Sequence, residues 1–318
     1  MPEMTAEEWL DRLDAHAMEH GFHARLGAHH GALYTEEEHE VLLVTFENAE
    51  TIRERDGAPL PAGLALAGRE DWSQLCFYSD GTTWFRDPEV YAFVDDLVDD
   101  GFFDLFDRVV FFGAGAEGYA ACAYSVAAPG ASVLAIRPQA TLDTGRAIWD
   151  HRALGARLLD FTGRYGYAPE MVEAAEHVAL VYDPTVAEDA MHAALFGPVA
   201  LHCRTPHLGW RTEEALEEMG ATWPLVRAAA KGRLDRLTFA RIWRKRHRHR
   251  PYLRAVSRVL QAEERPFLRG LWARRILQEI DRPAFRRALE EAEAELRDDG
   301  RSLPLPLWER ERLGRVTG

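Results

Sequence analysis

Short runs of apolar residues alternate with amphipathic stretches along the first two thirds of the chain. The runs are rich in Val, Leu or Phe and occupy residues 41–46, 75–79, 108–112, 132–136, 177–182 and 199–203. Uninterrupted apolar runs of this length suit strands that are buried on both faces, as in a parallel sheet. The amphipathic stretches between them, such as residues 88–99, suit helices that cover the sheet. The pattern therefore predicts a doubly wound α/β fold with about six strands.

The two ends of the chain follow a helical pattern instead. Thr5 and Glu8 have the spacing of a capping box, and apolar residues follow them at helical intervals. Beyond residue 221 no further strand-like run occurs, and Pro251, Pro266 and Pro283 stand near predicted helix starts. We therefore expect three parts, namely an N-terminal helical segment over residues 1–40, a sheet domain over 41–221 and an all-helical C-terminal module over 222–318.

Charge is divided unevenly between these parts. The 318 residues carry a net charge of −14, but residues 1–221 hold 14 Lys and Arg against 39 Asp and Glu, whereas residues 222–318 hold 24 against 13. The densest basic run extends from Arg241 to Arg254 and includes Trp243 and Tyr252. The interpretation we favour is that the aromatic residues pack in the core while the arginines extend into solvent. Binding of a nucleic acid or another polyanion through this run is the alternative.

The cysteine spacing, the N-terminal pattern and the length of the apolar runs together indicate a cellular location. Cys76, Cys122 and Cys203 have no paired spacing, which is typical of a reduced, intracellular protein and not of a disulfide scaffold or a zinc site. The acidic, amphipathic start is unlike a signal peptide, and no apolar run has membrane-spanning length. We expect a cytoplasmic protein with no membrane partner and no bound metal, which interacts with an unknown small ligand or protein.

The most informative segment is a glycine turn between two predicted strands, in the sequence RVVFFGAGAEGYAACAYSVAAPGASVLAI. Gly113, Gly115 and Gly118 satisfy the GxGxxG pattern of dinucleotide-binding domains, in the required order of strand, turn, helix and strand. In this interpretation Arg137, at the end of the second strand, favours the 2′-phosphate of NADP. Glu117, at the start of the helix, would repel a phosphate. A nucleotide-binding protein or NADP-dependent oxidoreductase is therefore one hypothesis.

The same turn also fits the pattern GxSxG, in which a nucleophile stands between a strand and a helix, with Gly115 at the position of the serine. The run FFGAGAEGYAA resembles the FYGSSMGGYAA turn of a bacterial α/β-hydrolase-like group, and RPQATLD resembles the segment that follows the next strand in that group. The resemblance covers roughly residues 40–215. It implies an α/β-hydrolase-like, mostly parallel sheet, followed here by the helical module.

The resemblance implies a catalytic turn that has lost its nucleophile. Gly115 has no side chain that attacks a substrate, and Glu117 occupies a position where the group has glycine. Of the other nucleophilic residues nearby, Cys122 and Ser125 lie well inside the predicted helix, where we expect them to be packed. Glu117 is one half-turn from the apex and is a weaker candidate for a carboxylate nucleophile or base.

The remaining parts of a triad are implied by chain order. The acid is expected after the strand that ends at residue 182, at Asp183 or Asp189, and the base is expected at His207 after the last strand. One oxyanion-binding N–H group is expected in the loop near Glu47 and Asn48. The order of turn, acid and base is that of the hydrolases, but acid and base alone give little catalysis without a nucleophile.

The leading hypothesis is therefore a catalytically degenerate α/β-hydrolase homologue that acts by binding an unknown ligand or partner and needs no cofactor. Some similar sequences carry the name phosphoadenosine phosphosulfate reductase, which makes a sulfonucleotide reductase another alternative. That chemistry needs a reactive cysteine near the carboxyl terminus, and no cysteine follows Cys203 in this chain.

Overall fold

The computed structural model describes residues 5–37, 40–55 and 59–305. The chain forms two compact units, Met1–Trp243 and Arg244–Gly318. The first unit contains the whole sheet, and the second is helical. Among the described residues, no helix combines the length and the apolar character needed to cross a bilayer.

The first unit is built on an eight-stranded sheet. Its strands are β1 (Gly21–Leu26), β2 (His30–Thr35), β3 (Val41–Asn48), β4 (Ser73–Ser79), β5 (Arg108–Ala114), β6 (Ser132–Ile136), β7 (His177–Tyr182) and β8 (Ala200–Arg204). They lie in the order β1-β2-β4-β3-β5-β6-β7-β8. Strand β2 is antiparallel to both neighbours, and the pairings from β4 to β8 are all parallel. The predicted α/β class and mostly parallel sheet are confirmed, but the strands number eight and not six.

The two additional strands, β1 and β2, lie inside the N-terminal segment for which the sequence predicts only helix. That prediction holds for α1 (Ala6–His20), whose capping box between Thr5 and Glu8 is formed. The strands themselves are rich in His and Gly and lack a long apolar run, and β1 is an edge strand that is exposed along much of its length. Gly31, in β2, is a residue type that strands disfavour, but a larger residue would not fit there, because a Cβ atom would lie 2.2 Å from the Tyr78 hydroxyl oxygen.

Helices cover the sheet on both faces. Besides α1, the helices of the first unit are α2 (Ala49–Arg53), α3 (Ala62–Ala67), α4 (Pro88–Asp99), α5 (Ala116–Tyr124), α6 (Thr144–Ala147), α7 (Ala168–Met171), α8 (Ala187–Leu195), α9 (Thr212–Glu218), α10 (Thr222–Ala230) and α11 (Arg236–Trp243). Single 3-10 turns span Phe102–Leu105, Ser125–Ala127, Leu154–Leu158, Val172–Ala174, Gly197–Val199 and Gly209–Arg211.

The parallel register places apolar side chains of neighbouring strands side by side in two layers. Val44 pairs with Phe111, which pairs with Val133, and all three belong to one buried cluster. The preceding residues Leu43 and Val110 belong to the cluster on the opposite face. Because both faces of the sheet are covered, nearly every position of these strands is apolar. Each strand therefore appears in the sequence as a continuous apolar run.

The division between the units lies later than the sequence boundary at residue 221. Helix α10 contributes Leu225 and Val226, both fully buried, to the cluster formed with β5 and β6. The change in sequence pattern at residue 221 therefore marks the end of the strands and not the end of the packed unit. The second unit begins with a 3-10 turn at Arg244–Arg248. Three helices follow it, α12 (Arg250–Ala262), α13 (Pro266–Leu277) and α14 (Pro283–Asp298).

Candidate functional site

The glycine turn at the carboxyl end of β5 has the backbone geometry of a strained strand-to-helix turn. Gly115, at its apex, has φ 63° and ψ −122°, and α5 begins at the next residue. The Gly115 N–H donates to the carbonyl oxygen of Ile136 at 2.8 Å, which ties the turn to the end of β6. A Cβ atom at Gly115 would meet only Glu117 Oε2, at 3.9 Å. The apex therefore has room for a side chain, but the residue that stands there carries no reactive group.

The flanking glycines of the pattern serve close packing between β5, β6 and α5. A Cβ atom on Gly113 would lie 2.2 Å from the backbone oxygen of Glu117, a distance that no real Cβ atom tolerates. A Cβ atom on Gly118 would lie 3.2 Å from the carbonyl oxygens of both Gly113 and Ile136. Dinucleotide turns and hydrolase turns both need such close approach, so the glycine spacing alone does not distinguish the two hypotheses.

A cavity of about 360 Å³ lies beside the turn, and five of the fifteen residues that line it are glutamates. Its acidic residues are Glu47, Glu117, Glu213, Glu214 and Glu217, and Arg55 also lines it. Burial raises the pKa of Glu117 to about 7, with smaller contributions from the carboxylates of Glu213 and Glu47. Burial likewise raises the pKa of Glu213, and neighbouring carboxylates add to the effect. The cavity is thus hostile to anions and suits neutral or cationic groups.

The loop after β3, where the sequence placed an oxyanion-binding N–H group, is folded into two helix caps. Glu47 accepts hydrogen bonds from the N–H groups of Ala62 at 2.7 Å and Gly63 at 2.8 Å, at the start of α3. Asn48 Oδ1 accepts from the N–H groups of Glu50 at 2.9 Å and Thr51 at 3.2 Å, at the start of α2. The loop therefore brings Glu47 to the edge of the cavity in a fixed position.

Asp183 and His207 lie on neighbouring loops but do not form an acid–base pair. Asp183 is fully buried, and its Oδ1 accepts hydrogen bonds from the N–H and hydroxyl groups of Thr185 at 2.8 and 2.7 Å. Its Oδ2 accepts from the Gly209 N–H at 2.6 Å, which fixes the loop that carries His207. Within the part of the chain that the structure describes, no hydrogen bond joins Asp183 to His207. The carboxylate of Asp183 thus binds two backbone N–H groups and the Thr185 hydroxyl.

The other expected acid, Asp189, belongs to a separate buried network with Arg137. Asp189 Oδ1 accepts from Arg152 Nη1 at 2.6 Å, and Arg137 Nε lies 3.4 Å from Asp189 Oδ2. Arg137 has φ 49° and extends its side chain toward this carboxylate. The residue expected to bind the 2′-phosphate of NADP is therefore engaged in an internal ion pair, and the structure does not join Asp189 to His207.

The same network contains Asp150 and His192, which the sequence analysis did not connect. His192 Nδ1 accepts the Ala140 N–H at 3.1 Å, so Nε2 carries the ring proton and donates to Asp150 Oδ2 at 2.9 Å. Asp150 also accepts three hydrogen bonds from the guanidinium of Arg152. Asp150 and His192 are 42 residues apart in sequence, and no spacing pattern links them.

The alternative nucleophiles, Cys122 in α5 and Ser125 in the 3-10 turn that follows it, do not line the cavity. Cys122 and Ser125 are both fully buried, and the Ser125 hydroxyl donates to the carbonyl oxygen of Cys122 at 2.8 Å. Burial raises the pKa of the Cys122 thiol, which keeps it protonated. Neither residue is placed to attack a substrate bound beside Gly115.

No family model matches the sequence, and no curated protein is similar to it in sequence. Solved structures with a similar backbone include three proteins of low sequence identity. The Glycosylation Associate Protein (Gap123) complex of Streptococcus agalactiae is 13% identical, with a TM-score of 0.42, over 67% of this chain and 47% of that one. The acylaminoacyl peptidase of Pyrococcus horikoshii is 10% identical, with a TM-score of 0.46, over 70% and 43%. A lipase/esterase from Lactobacillus plantarum is 11% identical, with a TM-score of 0.38, over 66% and 98%.

The chain spans less than half the length of the first two of these proteins. The arrangement seen here, a mostly parallel eight-stranded sheet with a strand–turn–helix unit at β5 and α5, is consistent with the α/β-hydrolase type of fold.

A larger cavity, of about 590 Å³, lies away from the turn, between α4, α7 and the loop at residues 161–167. Four of its charged side chains form two ion pairs. Arg164 makes a two-pronged ion pair with Asp95, and Arg146 lies 3.4 Å from Glu170. These two pairs balance four of the five charges that line the cavity, and the fifth, Asp143, accepts a hydrogen bond from the Gly145 N–H at 3.0 Å. Among the described residues, no group of three or more His, Cys, Asp or Glu is arranged to hold a metal ion.

Proposed function

We propose that the protein is a hydrolase-type fold that acts by binding a neutral or cationic small molecule in the carboxylate-lined cavity beside Gly115, without catalysing its hydrolysis. The observation that carries the proposal is the apex of the turn. Its backbone has the conformation in which a nucleophile is presented, and the residue there is glycine. A hydrogen atom in place of a hydroxymethyl group leaves no atom to form a covalent intermediate.

The rest of the site supports binding over catalysis. Both carboxylate oxygens of Asp183 are engaged by Thr185 and by the Gly209 N–H, so this acid is not available to orient an imidazole. Glu117 is the reactive side chain nearest the apex, but its raised pKa of about 7 leaves much of it protonated near neutral pH. A carboxylic acid is a poor nucleophile in its protonated form.

The cavity itself supports the ligand class. A volume of about 360 Å³ falls in the usual range for small-molecule sites. Carboxylates that keep their protons hydrogen-bond to neutral polar groups, and an incoming ammonium or guanidinium group would restore their ionised form. The same carboxylates oppose the pyrophosphate of NADP and the phosphosulfate of a sulfonucleotide, which are the ligands of the alternative hypotheses.

Two experiments on the purified protein test the proposal. Exposure to a fluorophosphonate, followed by intact mass, is expected to give no adduct under conditions that label a serine hydrolase fully. In a thermal-shift panel, amines and guanidinium compounds such as agmatine are expected to raise the midpoint, and NADP, NAD and adenosine phosphosulfate are not. A ligand at 100 times its dissociation constant adds about 2.7 kcal/mol of stability, which is easily measured.

Each readout is able to reject part of the proposal. An adduct mapped to a single residue would reveal a nucleophile and would end the claim of inactivity. Stabilisation by NADP that is lost in Arg137→Ala would favour the nucleotide hypothesis. Agmatine stabilisation that persists unchanged in Glu117→Gln/Glu213→Gln would move the binding site away from the cavity.

A further inference from the structure

The second unit concentrates its positive charge at its beginning. Residues 244–262 contain seven Lys and Arg and no Asp or Glu, and all twelve Asp and Glu of residues 244–318 follow residue 262. The carboxylates that neutralise arginines therefore lie on the later helices. Arg275 and Glu279 are 2.6 Å apart, as are Arg269 and Glu295. This separation leaves α12 without acidic residues of its own to balance its arginines.

Three of these arginines form a row on one face of α12. Arg250, Arg254 and Arg258 are spaced four residues apart, which places them on the same side of the helix at intervals of about 6 Å along its axis. All three are exposed. Within residues 244–305, as far as the structure describes the second unit, none of the three makes an ion pair or a hydrogen bond through its side chain. The row thus presents three guanidinium groups to solvent.

The opposite face of α12 is already covered by its own unit. Tyr252 and Leu253 are buried, and the indole N–H of Trp272 on α13 donates to the Leu253 carbonyl oxygen at 3.3 Å. The rings of Tyr252 and Trp272 pack edge to face, with centroids 6.2 Å apart. The Leu and Val side chains of α12 are buried or half-buried, and its aromatic ring, that of Tyr252, is buried, so the exposed face of the helix offers charge and not an aromatic ring for stacking on a base.

We propose that the row formed by Arg250, Arg254 and Arg258 binds the phosphodiester backbone of a nucleic acid without reading its sequence. A guanidinium group keeps its charge at every physiological pH and forms paired hydrogen bonds with phosphate oxygens. A regular row of such groups is complementary to a polymer with regularly repeated phosphates. Contacts to phosphates alone position a protein on nucleic acid but carry no base specificity.

The test is fluorescence anisotropy with the full chain and two labelled probes of mixed sequence, a 25-base-pair DNA duplex and a single-stranded RNA. Wild type is expected to bind at least one probe at 50 mM salt, with affinity that falls steeply as salt rises. In Arg250→Ser/Arg254→Ser/Arg258→Ser the slope of log affinity against log salt is expected to become shallower by about 2 to 3, because three phosphate contacts are lost. The affinity at 50 mM salt is expected to fall by at least about tenfold.

The matched control is Arg265→Ser/Arg275→Ser/Arg286→Ser, which removes the same charge from exposed arginines that each have a carboxylate partner. It is expected to keep most of the affinity and slope. An equal loss in both triple variants would show a general charge effect and overturn the assignment to α12. So would the absence of binding by wild type at 50 mM salt, or binding to phosphatidylserine vesicles without binding to either nucleic acid. Circular dichroism and thermal melting confirm that the variants are folded, and Arg→Lys at the same three positions, which keeps the charge, is expected to retain binding.

Discussion

Two clusters of charged side chains follow the carboxyl ends of the parallel strands, and they differ in how far cations balance their carboxylates. Around Asp150, carboxylates alternate with the cations Arg152 and Arg137, and His192 completes the hydrogen bonding. Around Glu117, beside the turn, the cavity is lined by four further carboxylates and one cation, Arg55, whose Nη1 lies 3.8 Å from Glu47 Oε2. Asp150, Asp189 and His192 are buried, whereas Glu117 is half-buried and Glu213, Glu214 and Glu217 are exposed at the rim of the cavity. The difference lies in how much counter-charge the protein supplies.

The two clusters shift the pKa values of their carboxyl groups in opposite directions. Burial alone would raise the pKa of Asp150, but the hydrogen bonds from His192 and Arg152 outweigh it and hold this pKa well below its usual value of 3.8. Burial raises the pKa of Glu117 from its usual value of 4.5 to about 7, and the carboxylates of Glu213 and Glu47 act in the same direction. The balanced cluster therefore holds a charge firmly, whereas the cavity holds a proton that a cation is able to displace.

Stability should depend on pH with opposite signs at the two clusters. Asp150 contributes stability that is present above about pH 4 and is lost as the pH falls below its unfolded value. Glu117 behaves in reverse, because between pH 4.5 and about 7 the folded state keeps a proton that the unfolded state has released. Its contribution to stability therefore declines as the pH rises through this interval. A structural network and a ligand cavity are thus distinguishable by titration alone.

The largest effect is expected from Asp150→Ala. The substitution leaves the guanidinium of Arg152 and the ring N–H of His192 without their buried acceptor. Removing one partner of such a pair costs about 3–5 kcal/mol. Urea unfolding at pH 7 measures the loss, and Asp96→Ala, which removes an exposed carboxylate from α4, is expected to change stability by less than about 0.5 kcal/mol. A loss below about 1 kcal/mol for Asp150→Ala would mean that the cluster is not the coupled network described here.

Glu117→Gln is expected to act in the opposite direction. At pH 8 the buried carboxylate is ionised at a cost that glutamine does not incur, so the variant should be more stable than wild type by up to about 3 kcal/mol. Its stability should also lose the decline between pH 5 and 7. Unfolding curves at pH 5, 6, 7 and 8 give both quantities, with Glu173→Gln as an exposed control. A variant that is less stable than wild type at pH 8 would show that the Glu117 carboxylate has a favourable partner, and the cavity would no longer contrast with the Asp150 cluster.

The sequence predicted those parts of this comparison that depend on adjacent residues. The run of β5, the turn at Gly115, α5 and β6 follows from apolar strands and small residues within 30 positions of one another, and the structure has this arrangement. β1 was missed because an edge strand with few buried residues lacks a long apolar run, and β2, although buried at every position, was missed because its apolar run is only three residues long. Local pattern identifies strands with an uninterrupted apolar run, and it misses an edge strand and a buried strand whose run is short.

The side-chain contacts within the two clusters could not be predicted from local sequence patterns. Glu117 and Glu213 come from helices almost a hundred residues apart, and Asp150 meets His192 across 42 residues. Chain order alone suggested Asp183 and His207 as partners, but a hydrogen bond depends on loop geometry, and Asp183 is used by the Gly209 N–H. Convergence of side chains from separate elements is set by the tertiary fold, and a single sequence contains no signal for it.

The smallest of these stability effects is expected at the apex of the turn. Gly115→Ala places a methyl group in open space, so its cost comes from the backbone at φ 63° and amounts to about 1–3 kcal/mol. Gly81→Ala is the matched control, because Gly81 has φ 83° and nothing within 4 Å of a Cβ atom. Similar losses in the two variants, measured by urea unfolding, would show that the turn tolerates a side chain at the apex. The absence of a nucleophile would then be a property of residue 115 alone. A much larger loss at Gly115 would mean that the cavity has closed around glycine, and that the site has departed from a hydrolase in shape as well as in chemistry.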